Sequence, residues 1–388
     1  MFQRFFGNSY KKVATLTGPR NAIQSVSLSV DGIFASASGY GGVTIWDLRT
    51  SEIFSTPHLP YEPNDPKHVY CSSAWLFFEG IDKHVFIVGN MAGELSMWSL
   101  ESGKKVQVVD NQDPSNHQVM SIDVSDLRVA PGHHGRIVTS TSNRLIAVWT
   151  LSSAMEITNI FKVNLSADFL PRTVKFAQGT DNVFAFSKMG RSFLQLHGQT
   201  GDFSWIKKDG PQEMHCVSVD ERNDLFAAWT GQRAEIFKLS NSEQVRAFQG
   251  EVALVGNTKQ VAFAEEGSKL VVGSDHGFAE VFVVQSGECI QRLHYPRKAL
   301  VQYVGIRTLP SSHIIAIAGS TKGQASDVVV YKKKRRLPSL HNAPDLNTDD
   351  NLIFNLNFPV TWTAVRWCGY IAIFFMMTYF MVRGLFVL

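Results

Sequence analysis

The chain of 388 residues has little that could form a disulfide framework or a thiolate metal site. Its four cysteines, Cys71, Cys216, Cys289 and Cys368, stand far apart and form no Cys-x-x-Cys pair. That spacing excludes a disulfide scaffold and a paired-thiolate zinc site, and points to free thiols in a reducing compartment. Met1–Asn8 lacks the apolar run of about 7–15 residues that a secretory signal needs. Glycine (29) and proline (14) are near average, which excludes collagen-like and low-complexity classes. No stretch before residue 360 keeps a 3.6-residue apolar period, so a helical domain is excluded. A basic folded domain is missing too. Seven of the 37 Lys/Arg and three of the 34 Asp/Glu fall from Lys332 onward, leaving 30 and 31 in residues 1–331, a net charge of −1. A nucleic-acid binder carries its positive charge on the folded part, so no nucleic-acid partner is expected.

What is present is a repeat. Seven short apolar runs recur at Phe34–Ser38, Val85–Gly89, Ile137–Thr141, Val183–Ser187, Leu225–Trp229, Leu270–Ser274 and Ile314–Ala318. Each is followed, after a turn rich in Gly, Ser or Asn, by a run ending in a large residue: Trp46, Trp98, Trp149, Leu196, Phe237, Phe282 and Tyr331. Another strand-sized piece and a turn precede each run, as in Val26–Val30 before Asp31-Gly32. Several strands in a period of roughly 40–50 residues mark a propeller blade, which must stack on neighbours to cover its faces. The expectation is an all-β fold, a seven-bladed β-propeller of four-stranded blades over residues 10–331. The chain after Tyr331 enters Lys332-Lys333-Lys334-Arg335-Arg336-Leu337-Pro338, which supplies no outer strand, whereas Val13–Leu16 is a spare strand at the other end. Pairing the two ends removes an open edge, so the N-terminal strand is expected to close the ring.

The segments Ser36-Ala37-Ser38-Gly39 with Val43-Thr44-Ile45-Trp46-Asp47, Val88-Gly89 with Leu95-Ser96-Met97-Trp98, and Ile137 with Ala147-Val148-Trp149 resemble the WD-repeat family. The resemblance extends over residues 10–331 and implies the same propeller. Only Trp46 is followed by Asp, and Tyr40, Ala92 and Asn143 stand where the family carries its turn Asp.

Chemistry-bearing residue types read mostly as turns. Pro57–His68 holds His58, Glu62, Asp65 and His68 among four prolines, a surface loop with no zinc-hairpin spacing. His133-His134 lies among Pro131, Gly132 and Gly135. Gly39-Tyr40-Gly41-Gly42 is followed by a strand and not by the helix a phosphate loop needs. Gly319-Ser320-Thr321-Lys322-Gly323 is a near miss to a nucleophile elbow without a βα unit. Ser274-Asp275-His276-Gly277 sets triad residue types side by side, which suits a turn and not a relay. The expectation is no catalytic residue, no metal, no cofactor and no enzymatic activity.

The C-terminal part differs from the repeats. Residues 332–358 read as a basic and polar linker, and 359–388 as a membrane anchor. Trp367–Val382 is sixteen residues without a charge, about 24 Å of helix. Arg366 and Arg383 are 17 residues apart, about 25 Å, near the roughly 27 Å of a thin ER bilayer. Both arginines can snorkel to opposite interfaces, with Trp362, Trp367, Tyr370 and Tyr379 as aromatic anchors. Few residues follow Arg383, and Arg366 and the cluster Lys332, Lys333, Lys334, Arg335 and Arg336 lie on the propeller side. Both features imply a tail-anchored, single-pass protein with its propeller in the cytosol. The ER fits ahead of the mitochondrial outer membrane or nuclear envelope. The basic run has two readings: a nuclear-import signal, as in a soluble protein, or, fitting better near a membrane, attraction to anionic headgroups at roughly 1 kcal/mol per side chain; the two can coexist at the nuclear envelope.

The expected function is a membrane-tethered, non-enzymatic scaffold that binds protein partners on its top face or rim and recruits them to an organelle surface. The C-terminal helix contacts lipid. The alternative is a regulator of a small GTPase. A cytosolic propeller on one C-terminal anchor resembles the ER exchange factor that starts coat-vesicle assembly, which uses a Gly-rich, cation-binding insertion in its first blade. Asn164-Leu165-Ser166 is a glycosylation sequon that tests this topology.

Overall fold

A computed structural model describes residues 9–55, 65–108, 117–297 and 299–335. These residues form seven antiparallel sheets, and the innermost strand of each packs on that of the next around a closed ring. The inner strands are Ile23–Leu28, Tyr70–Phe78, Val119–Val124, Pro171–Phe176, Cys216–Asp220, Val261–Ala264 and Tyr303–Thr308. The seven apolar runs of the sequence are the second strands, from Phe34–Gly39 in the first blade to Ser312–Ala318 in the last. Their burial is nearly continuous because neighbouring blades cover both faces. Trp46, Trp98, Trp149, Leu196, Phe237, Phe282 and Tyr331 all sit in the third strands. There they fill the space between blades, as Trp46 does beside Leu16, Val328 and Val330. The only helical pieces among the described residues are three short 3-10 turns, Pro66–His68, Glu79–Ile81 and Glu221–Asn223.

The N-terminal strand closes the ring. Lys11–Leu16 is the outer strand of the seventh blade and pairs antiparallel with Val328–Lys334, Leu16 opposite Val328 and Lys11 opposite Lys332. Gln291 in the sixth blade ties down the start of this strand, accepting from the Tyr10 N–H at 2.9 Å and donating to its carbonyl at 2.7 Å.

Two features differ from the expected pattern. The second blade has a fifth strand, because Arg128–Val129 reaches back from the third blade and pairs in parallel with Phe77 and Phe78. The last third strand also runs to Lys334, so three lysines assigned to the linker belong to the propeller. The reason is non-local. Lys333 faces inward and places Nζ 2.7 Å from Glu265 and over the ring of Tyr10, while Arg335 pairs with Glu266 at 2.7 Å. Lys333 holds the Glu265 carboxyl below its usual range despite the opposing effect of burial. Arg336, the rest of the expected linker and the expected anchor at 359–388 lie outside the described residues, and no helix among the described residues is long and apolar enough to cross a membrane.

Candidate functional site

Strand direction alternates within each blade. The connections from one blade's outer strand to the next inner strand, and those from second to third strand, therefore emerge on one face, called the top. Concave features that open there include a narrow axial funnel and a larger cleft between the fifth and sixth blades.

The funnel, about 210 Å³, is lined by residues of all seven inner strands or the turns leading into them. Its polar side chains staple neighbouring blades. The N–H of Ile122 donates to Ser72 Oγ at 3.0 Å, that of Val174 to Ser121 Oγ at 3.2 Å, and that of Val217 to Thr173 Oγ1 at 3.2 Å. The series continues with Phe263 N–H to Ser218 Oγ at 3.1 Å and Val304 N–H to Gln260 Oε1 at 3.0 Å. Between the first and second blades Ser25 and Ser27 bond Ser73, and Arg307 Nη2 donates to the Leu28 carbonyl to join the seventh blade to the first. Hydroxyls engaged in this way satisfy backbone groups that would otherwise be orphaned at the axis. The thiols beside them are held protonated at neutral pH, since burial pushes Cys71 up to about 12 and raises Cys216 as well. Burial likewise raises Tyr303 to about 12.

The cleft is larger, about 670 Å³, within the usual size range of ligand pockets. Trp229, Phe248, Val272 and Phe282 make its walls. The segment following Phe248 borders it, and leaves Val252 80% and Leu254 65% exposed. Contacts that hold that segment in place include His276 Nε2, 2.8 Å from the Val252 carbonyl, and the N–H groups of Leu254 and Val255, which donate to Asp275 at 2.9 and 3.2 Å. Lys259, 2% exposed, meets Asp275 at 2.7 Å and lies 4.8 Å over the Trp229 ring. Burial opposes the charge of Asp275, but Lys259, Gln302 and the Val255 N–H hold its carboxyl below the usual range. Glu280 is different. It is buried against the cleft, and desolvation raises its carboxyl above the usual value because Arg292, 3.4 Å away, offsets that effect only in part. Arg292 sits closer to Glu251, at 2.7 Å. A Cβ at Gly250 would stand 2.5 Å from Glu280 Oε2, so a larger residue here would have to push that carboxyl aside.

The residues singled out in the sequence are dispersed. His68 ends a 3-10 turn with its ring edge-on to Tyr70, and His58 lies outside the described residues. His133 contacts the Pro131 carbonyl within its turn. Ser274, Asp275 and His276 form a turn in which each side chain bonds elsewhere, and no relay is assembled. Gly39 gives a Cβ no room beside the Ala22 carbonyl, 2.2 Å away, which accounts for it as a close backbone approach. The turn between the second and third strands of the first blade is only Tyr40 and Gly41, with no insertion. Asn164 is exposed at the end of Ile157–Asn164. Trp362, Arg366, Trp367, Tyr370, Tyr379 and Arg383 lie outside the described residues.

Sequence reasoning missed the cleft because its parts are separated by up to about fifty residues and meet only when two blades stack. The available signal was the length of the connection between the strands Gln244–Ala247 and Val261–Ala264, with apolar Val252, Leu254 and Val255 inside an otherwise turn-like stretch. No protein-family model matches the chain, and no curated protein matches it significantly.

Proposed function

We propose that the chain is a membrane-tethered, non-enzymatic scaffold whose top face binds a cytosolic protein and holds it at an organelle surface. The observation that carries this reading is the cleft between the fifth and sixth blades, beside two exposed aliphatic side chains on the face where propeller loops are longest. Exposed apolar residues beside a formed concavity suit protein contact. The axial hydroxyls and thiols, where a propeller enzyme would gather its catalytic groups, are engaged in stapling or held protonated by burial. The tether rests on the uncharged run Trp367–Val382 and its flanking aromatic residues. The basic run adds less, since Lys333 and Arg335 are paired with Glu265 and Glu266.

The test is site-specific photo-crosslinking in cells, with the crosslinker at Gln232 beside the cleft or at Glu156 on the opposite face. The reading expects a discrete adduct from Gln232 in the membrane fraction and none from Glu156. Adducts only from Glu156, or from neither, would contradict it.

A further inference from the structure

We propose that the cleft between the fifth and sixth blades receives a lysine or arginine side chain from an otherwise apolar segment of the partner, with the cation on Glu280. This deepens the scaffold reading and rests on it.

The charges around the cleft are unevenly matched. Lys259, itself buried, is paired with Asp275 at 2.7 Å, and Arg233 donates Nε to Glu235 at 2.8 Å, so each of these cations already has a carboxylate of its own. Glu251 and Glu280 share one guanidinium, Arg292, which lies nearer Glu251. Two carboxylates on one cation leave one negative charge uncompensated, and Glu280 is the more buried of the two. An acidic ligand would meet this charge, and a purely apolar one would cover Glu280 while giving it no partner. A basic side chain meets both requirements. Its methylene stem can lie along Trp229, Phe248 and Phe282, while its head reaches the carboxylate in a charge-assisted hydrogen bond. The volume of about 670 Å³ exceeds one side chain, and the exposed Val252 and Leu254 offer apolar surface to the residues flanking the cation.

The full-length protein in detergent micelles is screened against a random-sequence display library, and enriched peptides are measured by fluorescence anisotropy. Enriched sequences should share a Lys or Arg flanked by apolar residues. Glu280→Gln, which preserves shape and removes the charge, should weaken them at least about tenfold, as loss of one partner in a buried charge pair does. Leu254→Ser, at a position 65% exposed and outside the strands, should weaken them several-fold. Enriched peptides that lack a basic residue, that ignore both substitutions, or that never emerge would overturn the assignment. The two readings fail separately. Peptides that ignore both substitutions yet are displaced by crosslinking at Gln232 leave the scaffold standing without this site. Peptides that behave as expected, in a protein giving no top-face adduct in cells, uphold the chemistry of the cleft and remove the scaffold.

Discussion

Replacing Leu16 by alanine would remove a fully buried side chain at the point where the ring closes. Leu16 packs with Trp46, Val328 and Val330, so the first and last blades both depend on it. Truncating a buried leucine costs about 2–5 kcal/mol, and more where the surroundings cannot collapse. Collapse is hindered here. The backbone on one side is fixed by the pairing of Leu16 with Val328, and Trp46 is anchored by its Nε1 donating to the Thr17 carbonyl at 2.9 Å. The upper half of that range is therefore expected. Val13 on the same strand is 55% exposed at the register shift between Lys12 and Ala14, so Val13→Ala should change stability by no more than about 0.5 kcal/mol. Urea unfolding of the full chain in detergent, followed by tryptophan fluorescence and near-ultraviolet circular dichroism, compares the two midpoints. Equal shifts, or a negligible effect of Leu16→Ala, would refute closure by the N-terminal strand as a source of stability.

The first and second blades carry a pH-dependent clamp, since His84 bridges Asp31 and Glu101 at 2.7 Å each. Burial lowers the His84 pKa, but hydrogen bonds to the two carboxylates more than reverse it, and Asp31 is held well below its usual range. The His84 contribution is therefore complete below about pH 6.5 and fades as pH rises through its raised value, whereas that of Asp31 fades only in acid. The melting temperature should fall between pH 6 and pH 8.5, and His84→Asn should flatten this fall; an unchanged slope would remove the clamp. Lys259→Met leaves Asp275 charged and buried, and should cost about 3–5 kcal/mol, with part recovered by adding Asp275→Asn. Thermal unfolding of the single and double variants measures it, and additive losses would contradict the pairing.

The repeat was legible because the chemistry that specifies it is local. Each blade writes its own alternation of apolar runs, turn residues and a large third-strand residue, and the spare strand at Val13–Leu16 marked where the ring had to close. What the sequence could not show is what one blade does to another. Ser72, Ser121 and Ser218 look like ordinary strand residues until the next blade's N–H arrives. The run from Lys332 reads as solvated charge because its partners Glu265 and Glu266 lie nearly seventy residues away. His84 showed no signal for the same reason, since Asp31 belongs to the preceding blade. Glu280 sits within the strand Phe278–Val283, and its buried carboxyl emerges only when the segment after Phe248 packs beside it.

The tether and the scaffold meet in one measurement, alkaline carbonate extraction of membranes from cells expressing the full chain or a version ending at Arg335. The full chain should stay in the membrane pellet and the shortened one should be soluble, with an intact near-ultraviolet spectrum because residues 11–16 close the ring without the tail. Asn164 should remain unglycosylated in both. Release of the full chain by carbonate, or a glycan on Asn164, would contradict a cytosolic propeller held at the membrane by its C-terminal segment.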